Sequence, residues 1–241
     1  MRRTVLFGLS LLVAAACLGL AGWQLRRLST RRAANREALL QRTLPVLAID
    51  SGLPILQANR TVRVVGALDE AREFGLRGRV IQGVPAILIV TPLRLAGSDT
   101  VLLVNRGYVP APDAVNPGAV TWSESGEHRF QGVLLPVPDR GDGSPVRYNG
   151  RETWKALDLS AMRARLPYPV AALYLIAEPD SADGAAHTIR GRSYPFRAEP
   201  PPLDEGPHLM YAVQWLGIAA AVLAFGIIFV WRGGPRKGTV D

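Results

Sequence analysis

The sequence predicts a membrane protein in which two transmembrane α-helices, one at each end, flank a mainly β (α+β) domain. Residues 5–25 and 209–231 carry no charged side chain. At about 1.5 Å per residue each is long enough to cross roughly 30 Å of hydrocarbon. Between them, short runs rich in Val, Ile, Leu and Tyr alternate with Gly, Pro and Asp turns, which is typical of β-strands. The 241 residues leave room for one middle domain, residues 26–207.

The N-terminal segment is expected to remain as an uncleaved anchor. A signal peptide is the alternative, because Arg2 and Arg3 form a basic start and residues 14–16, all alanine, resemble a cleavage site. A lipoprotein would instead use Cys17. The apolar run continues through Leu25, however, whereas the apolar part of a signal peptide is about 7 to 15 residues and is followed by polar sequence.

The C-terminal segment is the stronger of the two spans. Tyr211 and Trp215 near one end and Trp231 at the other fit the aromatic belts of membrane–water interfaces. Residues 232–241 contain two arginines and a lysine and are expected to form a basic tail.

Five strands are predicted in the middle domain, at residues 61–68, 86–95, 100–109, 129–137 and 170–177. The second and third should form an antiparallel hairpin, because residues 96–99 (AGSD) make a compact turn between them. The glycine-containing stretch FGLRGR, residues 74–79, is interpreted as a turn, since it lacks the rest of a phosphate-binding pattern.

Helices and loops complete the predicted domain. Residues 29–42 are polar and rich in good helix formers, which favours a helical continuation of the first anchor. Asp158 is a predicted N-cap for a helix over residues 159–166. The proline-rich passages 136–145 and 200–207 are predicted loops.

Charge and cysteine content exclude several classes of function. The net charge of +8 comes almost entirely from arginines that are scattered or flank the apolar ends, so we expect no nucleic-acid partner. Cys17 is the only cysteine. No disulfide can form within the chain, and no C-x-x-C pair supports thiol redox chemistry or copper carriage.

The sequence also predicts that the protein is not an enzyme. The three histidines, His128, His187 and His208, have no second histidine or cysteine at metal-ligand spacing. H-E-x-x-H, P-loop and G-x-S-x-G patterns are absent from the sequence. A membrane-anchored hydrolase would require a nucleophile and a base clustered in the β domain.

His208 stands at the start of the second apolar segment, where an imidazole can bind a haem iron as a metal ligand. Tyr211 and Trp215 follow at helical spacing on the same stripe, offering aromatic surface to a porphyrin. The alternative is an interfacial histidine beside belt aromatics.

Two contacts are expected between the helices. Gln24 and Gln214 are costly in hydrocarbon without partners and are predicted to interact, although a hydrated Gln24 is an equal alternative. Ala15 and Gly19 form a small-x-x-x-small face suited to close packing. The arginines after the first helix favour an inside loop by count, but the loop is far longer than the roughly 60 residues over which that rule operates.

Several motifs together resemble the Surfeit locus protein 1 family, which are membrane assembly factors for cytochrome c oxidase. The matching stretches, in the family's order, are GWQLRR (22–27), TPLRL (91–95), VLLVNRGYVP (101–110), YPVAALYL (168–175) and HLMYAVQWLGIA (208–219). Tyr108 stands where many relatives carry Trp, a mild departure. The motifs are specific in combination.

The resemblance implies that the middle domain faces the periplasm in a bacterium, or the intermembrane space in a mitochondrion. We expect a bacterial inner-membrane protein with a periplasmic middle domain and a cytoplasmic tail. The resemblance also implies transient binding of haem a, with His208 at the family's haem-associated position, and hand-over to oxidase subunit I. Expected partners are subunit I, other oxidase assembly factors and the lipid bilayer. The alternative is a scaffold that stabilises a subunit I intermediate without binding haem.

Overall fold

A computed structural model of the protein describes residues 2–81, 83–117, 122, 126–139, 145–148, 150–179, 187–189, 192–197 and 199–231. Within these ranges the helices are α1 (Arg2–Thr43), α2 (Leu159–Arg165) and α3 (His208–Trp231). The chain divides into two compact units. One comprises the residues up to Glu37 together with those from Leu203 onward, and the other is Ala38–Pro202.

The Ala38–Pro202 unit is built mainly from β-strands. They are β1 (Leu47–Ile49), β2 (Thr61–Leu68), β3 (Phe74–Ile81), β4 (Val84–Leu95), β5 (Val101–Pro110), β6 (Glu127–Pro136), β7 (Val146–Tyr148), β8 (Arg151–Trp154), β9 (Val170–Ala177), β10 (His187–Ile189) and β11 (Arg192–Tyr194). All five predicted strands are confirmed, two of them with identical bounds. The predicted β4–β5 hairpin is antiparallel, as expected.

Five of these strands close into a barrel. They follow the order β2–β6–β9–β5–β4, and β4 pairs back with β2. Gly66 on β2 lies at the closure, opposite both His128 on β6 and Leu95 on β4. A Cβ at Gly66 would lie 2.3 Å from the carbonyl oxygen of Arg94. Glycine therefore permits the close approach that joins the two strands.

The barrel interior is filled by apolar side chains from all five strands. They include Val62, Val64, Leu93, Leu95, Leu102, Val104, Phe130, Leu134, Leu175 and Ala177. Along β5 successive buried side chains alternate between two clusters, since Leu102 and Val104 belong to this interior while Val101 and Leu103 belong to a second cluster. Successive side chains of a strand point to opposite faces, so β5 serves two cores at once.

The second cluster contains α2. Met162 on α2 packs with Phe74 and Trp154. The Asp158 side chain accepts a hydrogen bond of 3.1 Å from the backbone N–H of Ala161, which caps the helix. The predicted helix over residues 159–166 is confirmed to within one residue.

The interpretation of residues 74–79 as a turn is wrong, because these residues belong to β3. Gly75 pairs with Ile89 of β4, and the register shifts between Leu76 and Arg79. Gly78, with φ of +72°, sits in that irregularity. The glycine supplies a bulge inside the strand and does not end it. The short strands β1, β7, β8, β10 and β11 were not predicted either.

In the other unit, α1 and α3 pack antiparallel. On α1 the buried positions Ser10, Ala14, Cys17, Ala21 and Gln24 recur every three or four residues. On α3 the buried positions Ala212, Ala219 and Gly226 are seven residues apart. Both patterns are typical of a left-handed helix pair.

The predicted packing face at Ala15 and Gly19 is wrong, since both residues are exposed. The face through Ala14 and Cys17 meets α3 instead, because one residue shifts a helical position by about 100°. Both helices are long and apolar enough to cross a membrane. The helical continuation over residues 29–42 is confirmed as part of α1.

Residues 199–206 have no regular secondary structure and Pro207 forms a turn before α3, in agreement with the predicted loop at 200–207. In the predicted loop at 136–145, residues 140–144 lie outside the described residues, as does the expected tail at 232–241.

Candidate functional site

The imidazole of His208 is held in place by Gln24. His208 begins α3 and is half-buried, and its Nδ1 lies 2.9 Å from Oε1 of Gln24 on α1. An amide oxygen can only accept, so Nδ1 carries the proton and donates it. In the neutral form of the imidazole, the second ring nitrogen, Nε2, then presents a lone pair. Metal-binding histidines commonly have this arrangement, with the non-ligating N–H donated to an oxygen.

Gly206 leaves the Nε2 side of this ring uncrowded. A Cβ built at Gly206 would lie 3.6 Å from Nε2 and 3.5 Å from Cδ2 of His208. The φ of Gly206 is +68°, a conformation that L-residues rarely adopt. Glycine thus serves the turn into α3 and leaves space beside the free nitrogen.

A cavity of about 690 Å³ lies beside His208. One wall is a single face of α1, where side chains recur at helical spacing; the other is the segment that leads into α3. The wall residues are Trp23, Arg26, Arg27, Thr30, Arg31 and Ala34 on α1, and Asp204, Glu205, Gly206 and His208 opposite. The cavity therefore combines an imidazole, an indole and several guanidinium groups.

Ionic contacts tie the segment before His208 to α1. Arg32 donates two hydrogen bonds, of 2.8 and 2.9 Å, to the Glu205 carboxylate. The hydrogen bond from Arg32 lowers the pKa of Glu205, so this carboxylate is charged at neutral pH. Asn35 donates to the carbonyl oxygens of Leu203 and Asp204 at 3.2 and 2.7 Å. These contacts fix how the chain enters α3 and so where His208 stands.

Of the three predicted haem-binding residues, His208 is the one that lines this cavity. His208 lines the cavity, whereas Tyr211 and Trp215 are not among its lining residues. Tyr211 is exposed on α3, and Trp215 packs against the cluster that contains Cys17. The aromatic ring that shares the cavity with His208 is Trp23. Its position in the GWQLRR motif was the signal, but that motif did not by itself distinguish a site residue from an interfacial tryptophan.

The predicted contact between Gln24 and Gln214 is wrong. Gln214 is exposed, and Oε1 of Gln24 is bonded to His208. Gln24 meets the first residue of α3 because the two helices run antiparallel and their paired ends lie together. An imidazole N–H satisfies the buried amide oxygen as well as a second glutamine would.

The V-N-R-G motif supplies a buried polar cluster in the Ala38–Pro202 unit. Arg106 is completely buried, and its Nη1 lies 2.7 Å from Oε2 of Glu73. Its Nη2 donates to the carbonyl oxygen of Trp122 at 2.8 Å. Glu73 also accepts from the Thr91 hydroxyl at 2.7 Å and from Nε1 of Trp122 at 2.6 Å. The TPLRL and VLLVNRGYVP motifs thus meet at one ion pair.

This cluster joins segments that are distant in the sequence through one buried carboxylate. Burial raises the pKa of Glu73, and the attraction of Arg106 with the hydrogen bonds of Thr91 and Trp122 opposes that rise. All of these donors point at the carboxylate. No serine, cysteine or histidine is in hydrogen-bond contact with Glu73 among the described residues, so the arrangement resembles a buried anchor more than a catalytic pair.

The glycine of the same motif permits a second close contact. Gly107 has φ of +118°, and a Cβ there would lie 2.1 Å from the carbonyl oxygen of Phe196. The Asn105 side chain accepts from the N–H of Gly107 at 3.0 Å. Tyr108 and Phe196 then form an antiparallel bridge. The motif therefore fixes the backbone of β5 on both sides of Arg106.

The YPVAALYL motif contributes another ionic anchor. The hydroxyl of Tyr168 donates to Asp69 at 3.0 Å, and Arg72 and Arg94 reach the same carboxylate at 2.9 and 3.1 Å. Burial alone would raise the pKa of Asp69, but the hydrogen bonds from Arg94, Tyr168 and Arg72 together lower it. Burial, with the hydrogen bond to Asp69, raises the pKa of Tyr168 to about 12.

The other two histidines lie on strands of the Ala38–Pro202 unit. His128 is buried on β6, and the backbone of His187 begins β10. Within the part of the chain that the structure describes, no three His, Cys, Asp or Glu side chains are grouped so that they could hold a metal ion.

Comparison with known proteins gives a consistent result. A model of the SURF1 family matches residues 11–220. The chain is similar to a SURF1-like protein of Rickettsia felis, with 23% identity over 217 residues that cover 88% of this chain and 91% of that protein. The chain is 28% identical to Surfeit locus protein 1 of Homo sapiens over 247 residues, which cover 93% of this chain and 77% of that protein. A SURF1-like protein of Monosiga brevicollis is 26% identical over 152 residues, and the match spans about half, 55%, of that protein.

Proposed function

Because this chain belongs to the SURF1 family, we propose that it is an assembly factor for cytochrome c oxidase that binds haem a transiently and hands it to subunit I. The family match over residues 11–220 carries the oxidase part of the proposal. The hydrogen bond between His208 and Gln24 is the observation that supports the haem part.

The residues around His208 fit a haem as cargo. His208 would ligate the iron through Nε2, with Gln24 holding the ring by its other nitrogen. Trp23 adds aromatic surface in the cavity, while Tyr211 and Trp215 are proposed to add apolar surface on α3. The cavity of about 690 Å³ falls within the roughly 300–1,000 Å³ of small-molecule sites. Haem a supplies a redox-active iron that functions in the oxidase.

Transient binding of haem agrees with a site of this kind. One axial bond and partial burial of a porphyrin hold the cargo without enclosing it. His208 would ligate the iron, and its hydrogen bond to Gln24 orients the imidazole for that role. The proposal includes no catalytic step by this chain, because binding and release are sufficient for hand-over.

The same proposal places α1 and α3 in the bacterial inner membrane and the Ala38–Pro202 unit in the periplasm. Large apolar side chains of α3 are exposed, such as Met210, Phe225 and Trp231 at 72, 71 and 86%. Lipid would cover these side chains in a bilayer. The absence of charge from residues 5–25 and 209–231 supports two complete spans.

Purification from cells that make haem a tests the function. The full-length protein, extracted in mild detergent, is expected to carry haem a, identified by its pyridine haemochrome spectrum. Protein from cells unable to make haem a serves as the control and should be colourless. Haem-free protein that still co-purifies with subunit I from the first cells would contradict haem custody and favour the scaffold alternative.

A further inference from the structure

Two arginines beside His208 have no acidic partner among the residues that the structure describes. Arg26, Arg27 and Arg31 of α1 line the cavity. Arg31 faces Asp204, with 3.8 Å between Nη2 and Oδ1, and the adjacent Arg32 pairs with Glu205. Both acidic side chains of the opposite wall are therefore matched.

The guanidinium groups of Arg26 and Arg27 have no carboxylate within 4.0 Å among the described residues. Arg27 instead lies over the ring of Trp23, with 5.4 Å between its guanidinium carbon and the ring centre. The cavity thus carries uncompensated positive charge on the same α1 face as its indole.

We propose that Arg26 and Arg27 bind the two propionate carboxylates of the haem that His208 ligates. Guanidinium groups bind carboxylates through paired, charge-assisted hydrogen bonds, and an exposed arginine without a partner is free to form them. This inference rests on the proposed function, since it names the residues that bind the carboxylates of the same haem.

The positions of the residues along α1 support this assignment. Gln24, which holds His208, precedes Arg26 and Arg27 by two and three residues, or about 3 to 4.5 Å along the helix axis. Both arginines lie just beyond the uncharged residues 5–25. A porphyrin with its iron at His208 then directs its carboxylates toward the polar end of the helix pair, and its apolar edge toward the membrane span, where burial of charge is costly.

An anionic lipid headgroup is recognised by the same guanidinium chemistry. The cavity favours the propionates, because it places the lone pair of His208 Nε2 and the ring of Trp23 beside the two arginines. A phosphate group alone would use neither. The experiment must therefore distinguish lipid binding from propionate binding.

The test compares ferric haem b with its dimethyl ester, which has the same iron and ring but no carboxylates. Full-length protein is reconstituted in nanodiscs of zwitterionic phosphatidylcholine, and binding is followed by the Soret band. Wild-type protein should bind haem b roughly tenfold or more tightly than the ester. This comparison requires no variant, so it holds whatever a substitution does to folding.

The double variant Arg26→Gln/Arg27→Gln should lose that preference, because it should bind haem b more weakly and the dimethyl ester as tightly as wild type does. Arg36→Gln, on the same helix outside the cavity lining, is the matched control and should keep it. His208→Ala should weaken the binding of both haem b and its ester and alter both Soret bands. This variant tests the proposed function separately.

Equal binding of haem b and its ester by wild-type protein, with the His208-dependent Soret band retained, would overturn the propionate assignment alone. The assignment would also be overturned if Arg26→Gln/Arg27→Gln weakened the binding of haem b and of the ester equally. The same holds if the variant binds haem b normally but loses sensitivity to added phosphatidylglycerol, because the two arginines would then be a lipid site.

Discussion

Arg106 joins parts of the chain that are distant in sequence. Its guanidinium reaches Glu73 just before β3 and the carbonyl oxygen of Trp122, and Thr91 of β4 shares the same carboxylate. Removing one partner of a buried ion pair leaves the other charge uncompensated, at a cost of about 3–5 kcal/mol. We expect Arg106→Gln to lower the free energy of unfolding by about that amount. Urea unfolding of the full-length protein in detergent, followed by tryptophan fluorescence, measures it.

The matched control for this substitution is Arg63→Gln. Arg63 is an exposed strand arginine whose side chain donates to Gln131 at 2.8 Å. Its loss should change the free energy of unfolding by about 0.5 kcal/mol or less. Equal effects of the two substitutions would contradict a structural role for the buried pair.

Asp69 gives the β domain a pH-dependent contribution to stability. Its pKa in the folded protein lies below the ordinary value, so the folded state favours the charged form. The resulting stabilisation is present above the pKa of the unfolded chain and is lost as pH falls through the folded pKa. Asp69→Asn should therefore cost about 1–3 kcal/mol at pH 6, and the cost should decrease as the pH is lowered toward 3. A difference between wild type and variant that is the same at both pH values would refute this.

Sequence motifs located these residues without revealing what they do. Arg106, Thr91 and Tyr168 all belong to the motifs that carry the family resemblance. Their partners Glu73 and Asp69 lie outside those motifs, and a buried ion pair between distant segments leaves no local pattern. The same reason explains why the partner of Gln24 was predicted wrongly.

At the scale of elements, the α1–α3 pair depends on a close contact at one end. A Cβ at Gly226 would lie 2.2 Å from Oγ and 3.0 Å from Cβ of Ser10. Gly217 has no neighbour within 4 Å of such a Cβ. The native Cys17 lies buried in the same helix seam and reports on its packing.

Gly226→Val is expected to loosen the helix pair, because the added side chain must displace Ser10. The labelling rate of Cys17 by N-ethylmaleimide, in detergent, should rise severalfold in this variant. Gly217→Val is the control, at a position with open space, and should label at the wild-type rate. Identical rates for both variants would mean that the seam does not require glycine at position 226.

Local sequence patterns predicted the elements that have clear flanking signals. β2 and β9 matched their predicted bounds because turn residues or a proline border each apolar run. β3 was misread because Gly75 and Gly78 resemble a turn when only near neighbours are considered. Its pairing with β4 and β8 is what makes it a strand.

At the scale of the whole molecule, the sequence predicted two apolar helices around a mainly β domain, and the structure has both. Closure of the barrel could not be predicted from the sequence. The β2–β4 pairing joins strands that have β3 between them in the chain, and it depends on a glycine contact at Gly66. For the site, the sequence pointed to His208. The orienting role of Gln24 and the cavity face of Trp23 required three-dimensional placement.

The measurement that tests the central claim most directly is the haem a content and Soret spectrum of His208→Ala beside wild type, both purified from cells that make haem a. Loss of the axial nitrogen should reduce retention and shift the band, while apolar contacts keep some haem bound. Membrane insertion should be unchanged, because residues 209–231 remain uncharged. His128→Ala and His187→Ala should retain the wild-type content and spectrum. An unchanged spectrum in His208→Ala, or a loss confined to either control, would contradict His208 as the haem ligand.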